Sequence, residues 1–153
     1  MLNGGSWFVG LPEVQQQCLA IAFREIPIGI EVETAHGLVG LLHADCVFDS
    51  WGELKHELEQ PSSNQRRKLV MNTCMWSRTR VEQSDERVVH GLRALVVGHT
   101  PLRAPVVLGN VHHIDTGGWF PEGYDGYFTL MNLDTLEAIP PVPGKLEWEA
   151  ESA

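Results

Sequence analysis

The chain has 153 residues, 43% of them apolar and 20% charged, and its formal net charge is -9. These values are typical of one globular domain and argue against a disordered or fibrous chain. The negative charge also argues against a broad nucleic-acid surface, because phosphate binding needs clustered Lys and Arg, and such a cluster occurs only at Arg66, Arg67 and Lys68. We expect this triplet on a solvated helix face and expect no nucleic-acid partner.

The three cysteines are Cys18, Cys46 and Cys74, and they are widely spaced with no C-x-x-C pair. This pattern favours neither a disulfide framework nor a zinc knuckle, and it fits a reducing, cytoplasmic setting. The first residues, "MLNGGSWFVG", lack a basic region followed by an apolar stretch, and no segment approaches the roughly 20 apolar residues that span a bilayer. We therefore expect neither export nor membrane insertion.

The first part of the chain predicts a helix followed by a β-hairpin. Residues 12–26 carry apolar side chains at helical spacing, with Pro12 acceptable at the first helical position. Residues 28–34 then alternate apolar and polar side chains, as a strand with one wet face does. A turn at His36 leads into residues 38–45, a more continuously apolar strand.

The rest of the chain predicts two helices and then mainly strands. The helices are expected at residues 51–60 and 63–80, and the strands at 94–98, 105–108, 111–115 and 127–133. The segment 140–153 is acidic and interrupted by proline, so we expect a mobile tail. The predicted architecture is mixed α/β.

Two of the apolar runs end in a histidine. In "LVGLLHAD" at 38–45, His43 follows the apolar residues. In "ALVVGHTPL" at 94–102, His99 follows a predicted buried strand. A strand end is a rigid mount, imidazole is a common metal ligand, and the small neighbours Ala44 and Gly98 leave room for an ion. The alternative is that both rings are satisfied by backbone groups.

Four motifs come in a recognisable order: "LLHAD" at 41–45, "WSRTR" at 76–80, "VVGHTP" at 96–101 and "HIDTGGWF" at 113–120. Their order and approximate spacing resemble the last motifs of the serine/threonine protein phosphatases of the PPP superfamily, which are calcineurin-like metallophosphoesterases. The small bacterial and phage-type members look most similar. The opening "LNGGSWF" also resembles that family, so the likeness covers roughly residues 2–139.

The resemblance implies an α/β fold in which residues 1–139 form the C-terminal half of a metallophosphoesterase β-sandwich with flanking helices. It also implies two divalent metal ions, commonly Mn²⁺, that activate a water for attack on phosphoserine or phosphothreonine esters. By resemblance, His43 and His99 match two ligands of one metal ion, and Arg78 matches an arginine that holds phosphate oxygens. The substrate would be a phosphoprotein or a small phosphoester.

Other polar residues near these motifs have alternative interpretations. Arg78 could instead pair with Glu82 on a helix surface, and Asp45 could either orient His43 or be an ordinary surface aspartate. Asp115 and Thr116 match a motif whose role we expect to be structural, with a tight turn at the two glycines that follow.

His112 and His113 are adjacent on a predicted strand, so one ring should point inward and the other outward. Neither matches a ligand of the family. We expect both rings to be exposed or hydrogen-bonded.

Three motifs that precede these in the family do not occur in the sequence: Asp-x-His-Gly, Gly-Asp-x-x-Asp-Arg-Gly and Gly-Asn-His-Glu. Two neutral histidines alone bring no negative charge to a dication, so we expect weak metal binding and little or no activity. The missing motifs imply missing strands of the sandwich, so we also expect apolar sheet faces or a sheet edge to be uncovered. Three possibilities follow: a fragment of an enzyme, a chain completed by a separately encoded N-terminal half, or an inactive remnant that serves as a binding module. A dinucleoside-tetraphosphate hydrolase fragment is a further alternative.

Overall fold

A computed structural model describes residues 5–121 and 125–140. Its helices are α1 Ser6–Val9, α2 Glu13–Arg24, α3 Trp51–Glu59, α4 Asn64–Trp76 and α5 Thr79–Gln83. Its strands are β1 Gly29–Thr34, β2 Gly37–Leu42, β3 Ala94–Val97, β4 Val106–Leu108, β5 Val111–His113, β6 Leu130–Met131 and β7 Ala138–Ile139. The helix predicted at 12–26 and the hairpin that follows it are confirmed. Most of the predicted tail, residues 141–153, lies outside the described residues.

The main sheet has five strands in the order β1-β2-β3-β5-β4. β1 and β2 form the predicted antiparallel hairpin, and β4 pairs antiparallel with β5. β2, β3 and β5 are mutually parallel, so their carboxyl ends lie at the same edge of the sheet. The predicted α/β fold class is confirmed as one mixed sheet with flanking helices, and β6 and β7 form a separate two-stranded ribbon.

Helices α3 and α4 cover one face of this sheet. Ser50 and Ser63 begin them, because each side chain accepts a hydrogen bond from the backbone N–H three residues ahead. The core beneath them joins buried side chains of both helices to three strands: Leu42, Trp51, Leu54, Val70, Cys74, Leu95, Val97 and Val111. Deep burial of these side chains fixes the sheet and therefore the positions of its strand ends.

Two elements differ from the sequence prediction. The helix expected at 63–80 ends at Trp76, because Ser77 is extended with ψ 137° and its Oγ accepts a hydrogen bond from Thr79 N, where α5 begins. The strand expected at 127–133 is only Leu130–Met131, because its partner β7 is two residues long. Because the helix stops at Ser77, the side chains from Arg78 onward do not continue the faces of α4.

The first two helices carry exposed apolar side chains. No residue of α1 or α2 is buried. Val14 is 71% exposed and Phe23 is 52% exposed, and Ile21 and Ile26 are similarly open. An apolar helix face without a partner in its own fold is typical of an interaction surface. No helix among the described residues has the length and apolar character needed to cross a membrane.

The cysteines give a first testable prediction. Cys18 is exposed, whereas Cys46 and Cys74 are buried, and burial raises their pKa values to about 11 and about 12. A thiol reagent at pH 8 is expected to label only Cys18 in the native chain and all three cysteines in denaturant, because thiolates are the reactive species. Mass spectrometry of the labelled chain checks this, and rapid native labelling of Cys46 or Cys74 would contradict it.

Candidate functional site

His43 and His99 meet at the carboxyl edge of the sheet, although 56 residues separate them in the chain. His43 directly follows β2, and His99 comes two residues after β3, which is the parallel neighbour of β2. A hydrogen bond of 2.9 Å from Gly98 N to His43 O ties the two strand ends together. The ring atoms His43 Nε2 and His99 Nδ1 are 3.0 Å apart, so one ring donates its N–H and the other accepts.

The backbone at His99 is held in an unusual conformation. Its φ is +66°, in the left-handed region, which costs on the order of 1–3 kcal/mol for a residue other than glycine. Thr100 N donates to Gly98 O at 2.8 Å and closes the turn. The indole of Trp76 meets the His99 ring edge-on, with centroids 5.6 Å apart and planes at 90°. Strain of this kind is found where a fold positions a functional side chain.

Burial and nearby charges favour the neutral form of His99. Burial is the largest cause that lowers the pKa of His99, and His43 and Arg78 lower it further. The backbone of Trp76 and the carboxylate of Asp115 act in the opposite direction and do not cancel these effects. A neutral ring has a lone pair on one nitrogen, and a lone pair is what a metal ion or a proton donor requires.

Arg78 lies in the short link between α4 and α5, and its side chain is exposed. It is close enough to His99 to influence its titration. Within the described residues, no carboxylate is within ion-pair distance of Arg78, so the alternative pairing with Glu82 is not formed. Its guanidinium is therefore open to an anion beside the histidine pair.

The carboxylate of Asp45 is hydrogen-bonded to groups other than His43. Asp45 is buried, and its Oδ1 accepts hydrogen bonds from Arg80 Nε at 2.8 Å and from Cys46 N at 2.8 Å. No hydrogen bond joins it to His43 in the part of the chain that the structure describes. Sequence reasoning missed Arg80, which is also buried. No signal in the sequence distinguishes the buried Arg80 from Arg78, which precedes it by two residues.

Asp115 and Thr116 shape the loop that follows β5. Asp115 Oδ1 accepts from Gly117 N at 2.9 Å, and Gly117 has a φ of +71° that suits glycine. Thr116 Oγ1 bonds to the carbonyl of Tyr127 and, at 2.7 Å, to Thr129 Oγ1. The expected tight turn is therefore present, and these contacts connect the loop to the segment before β6.

His112 and His113 lie on β5 with their rings on opposite faces. His113 is 2% exposed, and no protein group among the described residues forms a hydrogen bond with either of its ring nitrogens. The ring is therefore buried, and the described part of the chain does not itself supply the expected hydrogen bond. Its strand neighbours Val111 and Val97 offer no donor or acceptor side chain, and the charged groups that influence its pKa include Asp45 and Arg80.

The histidine pair fits part of a metal site. Two nitrogens bound at about 2.1 Å in adjacent positions of an octahedron lie about 3.0 Å apart, which matches the separation of His43 Nε2 and His99 Nδ1. Among the described residues, however, no group of three or more His, Cys, Asp or Glu side chains is placed to hold an ion. The chain thus presents two ligands and lacks the rest of a coordination shell.

These features define an α/β protein with an accessible histidine pair and an open arginine at one edge of its sheet. No family model matches the chain. The chain is 30% identical over 136 residues to serine/threonine-protein phosphatase 1 of Salmonella typhimurium, covering 87% of this chain and 55% of the relative. It is 27% identical over 135 residues to serine/threonine-protein phosphatase 2 of the same organism, covering 84% of this chain and 56% of the relative.

The resemblance predicted from the four motifs is therefore confirmed: this chain is related to the serine/threonine-protein phosphatases. It spans about half the length of the curated relatives it matches.

Proposed function

We propose that the chain forms part of a metal-dependent phosphoesterase that hydrolyses phosphoserine or phosphothreonine esters. The main support is the 3.0 Å approach of His43 Nε2 to His99 Nδ1 with Arg78 beside them. The relation to two serine/threonine-protein phosphatases supports the substrate class, a phosphoprotein or small phosphoester. A cytoplasmic location is part of the proposal and is supported by the three unpaired cysteines.

In the proposed site, His43 and His99 hold one divalent ion, with Mn²⁺ as the expected metal. When bound, such an ion lowers the pKa of a water molecule and so supplies the nucleophile. The chain itself positions the ligands: the neutral His99 ring is fixed by its strained backbone and by Trp76, and His43 is fixed through Gly98. The His43 side chain is exposed and the His99 side chain is partly exposed, which leaves room for a substrate.

Arg78 would hold the phosphate of the substrate. A guanidinium presents paired N–H donors that match two phosphate oxygens, and Arg78 has no carboxylate competing for them in the described residues. Binding there would draw the phosphorus toward the edge of the sheet where His43 and His99 lie.

We further propose that this chain alone is inactive and is completed by a polypeptide equivalent to the part of the relatives that it does not match. Two neutral imidazoles leave the charge of a dication uncompensated, so the completing segment must bring oxygen ligands to His43 and His99. An apolar groove of about 570 Å³ opens beside His43, lined by Phe23, Ile26, Ile28, Ile30, Leu41 and Met75 among others. A segment lying on this groove and on α2 would reach the histidine pair.

Activity assays test this function. The isolated chain with added Mn²⁺ is expected to release no phosphate from a phosphoserine peptide. A chimera in which the chain replaces the matching 136 residues of the Salmonella phosphatase 1 is expected to do so. His99→Ala in the chimera is expected to lower kcat/KM by at least about 100-fold, because one of two histidine ligands is lost.

His36→Ala is the matched control, since His36 is exposed in the hairpin turn. Turnover by the isolated chain that disappears in its His99→Ala variant would contradict the proposed inactivity. A folded chimera that cleaves a dinucleoside tetraphosphate and leaves the phosphopeptide intact would favour the alternative substrate class.

A further inference from the structure

Three charged or titratable side chains are almost fully buried and interact electrostatically. Asp45, Arg80 and His113 are 6%, 3% and 2% exposed, and they come from the loop after β2, from α5 and from β5. Asp45 and Arg80 both contribute to the electrostatic environment of His113, as does its strand neighbour His112. The three side chains therefore form one buried polar cluster in an otherwise apolar core.

The hydrogen bonds within this cluster leave several polar atoms without partners. Asp45 Oδ1 takes both hydrogen bonds that the carboxylate accepts, from Arg80 Nε and Cys46 N. Arg80 Nη1 donates to the carbonyls of Asp85 and Arg87 at 3.1 and 2.8 Å. Within the described residues, no protein group bonds to Asp45 Oδ2, to Arg80 Nη2 or to either ring nitrogen of His113.

A neutral imidazole has one N–H donor and one lone-pair acceptor, and burying both without partners is costly. Native proteins satisfy such groups with internal water, which makes two to four hydrogen bonds to otherwise unpaired buried atoms. Protonation of His113 would place a second cation in the cluster. This is unfavourable, because the one carboxylate of the cluster, Asp45, is already paired with Arg80. Water can supply both a donor and an acceptor without adding charge.

We propose that Asp45, Arg80 and His113 form a buried water-binding site in which at least one water molecule bridges the His113 ring to the free oxygen of Asp45. The water keeps His113 neutral and hydrogen-bonded. Because Asp45 is two residues from His43, the hydrated cluster also connects β5 to the loop that holds the candidate ligand.

The site makes the stability of the chain sensitive to acid. Burial is the largest cause that lowers the pKa of His113, and Arg80 and His112 lower it further while Asp45 opposes them. The pKa of such a histidine is lower in the folded chain than its unfolded value of about 6.5. Its full contribution to the free energy of unfolding is present above pH 6.5. This stability is lost as the pH falls from about 6.5 toward the folded pKa, because only the unfolded chain gains the proton.

Two measurements on the full chain test the proposal. The first is a crystal structure, together with water-to-ring nuclear Overhauser effects for His113 in solution. Density for a water within hydrogen-bond distance of the ring, with a slowly exchanging water signal, is expected. A ring nitrogen bonded directly to a protein atom, or an empty space beside both nitrogens with no water signal, would overturn the proposal.

The second measurement compares urea unfolding at pH 7.5 and pH 5.5 for the native sequence and for His113→Leu. Acidification is expected to raise the unfolding equilibrium constant of the native chain by up to about tenfold more than that of His113→Leu, which has no ring to protonate. His36→Gln serves as the control because this exposed histidine lies in the hairpin turn, and it should behave like the native chain. His113→Asn provides a second, polar variant of smaller volume, and it should show a nuclear Overhauser effect from water to the side-chain amide of residue 113, whereas His113→Leu should show none to its side chain. Equal acid sensitivity in the native chain and both His113 variants would count against a neutral, buried His113.

Discussion

An Arg80→Met variant is expected to lose about 3–5 kcal/mol of the free energy of unfolding, because it leaves Asp45 as an uncompensated buried carboxylate. The Arg80 Nε to Asp45 Oδ1 distance is 2.8 Å, and the two side chains are 2% and 9% exposed. The same substitution removes the donor that bonds the carbonyls of Asp85 and Arg87, so the link between α5 and β3 also loses its anchor. Urea denaturation followed by circular dichroism at pH 7.5 measures the loss.

Arg78→Met is the matched control, since Arg78 is two residues away, exposed and without an ion pair in the described residues. It should change the free energy of unfolding by no more than about 0.5 kcal/mol. The double variant Asp45→Leu with Arg80→Met should recover part of the stability, because removing both partners leaves no lone buried charge. A loss below about 1 kcal/mol for Arg80→Met would mean that the pair behaves as a solvated surface bridge.

The parts of the fold that follow from local pattern could be predicted from the sequence. The hairpin β1–β2 is predicted by alternating side chains and a short turn, and α2 by its helical spacing. The partnership of His43 with His99 could be expected from the family resemblance, but no local pattern shows it. It depends on β2 and β3 being parallel neighbours, and a parallel pair is joined by a long crossover, here the segment containing α3, α4 and α5.

The roles of the two arginines in "WSRTR" could not be separated by sequence alone. A continuous helix through residue 80 would place Arg78 and Arg80 on different faces, but it would not say which of them faces the core. The break at Ser77 decides this, and it results from the capping bond to Thr79 together with the burial of Arg80 against Asp45. The surroundings of the buried His113 ring could likewise not be predicted, because strand alternation shows which face of the sheet a ring takes and not which groups it meets.

The apolar groove beside His43 is expected to bind a second polypeptide. The part of the Salmonella phosphatase 1 that this chain does not match is expected to bind the chain when the two are coexpressed and copurified. Phe23→Glu is expected to weaken that binding by at least about tenfold. Phe23 is 52% exposed in the chain alone and lines the groove with Ile26 and Met75, so a segment lying there would bury it. A glutamate at this position would have to be desolvated without a partner.

Phe128→Glu is the matched control, because Phe128 is 74% exposed and lies outside the groove, next to β6. It should leave the affinity unchanged. Titration by analytical ultracentrifugation separates three outcomes. A complex weakened by Phe23→Glu and unaffected by Phe128→Glu supports docking on the groove. Self-association of the chain that Phe23→Glu abolishes would mean that a second copy occupies the groove, and a complex insensitive to both variants would place the interface elsewhere.

His99→Ala in the same complex distinguishes docking from metal binding. The His99 ring contacts His43 and Trp76 and does not line the groove, so its removal should leave the affinity for the completing segment unchanged. Binding of Mn²⁺ by the complex should fall by at least about 100-fold, since the proposed site would lose one of its two imidazole ligands. Equal losses of docking and of Mn²⁺ binding would mean that the segment is held mainly through the ion. The apolar surface of α2 would then need a different explanation.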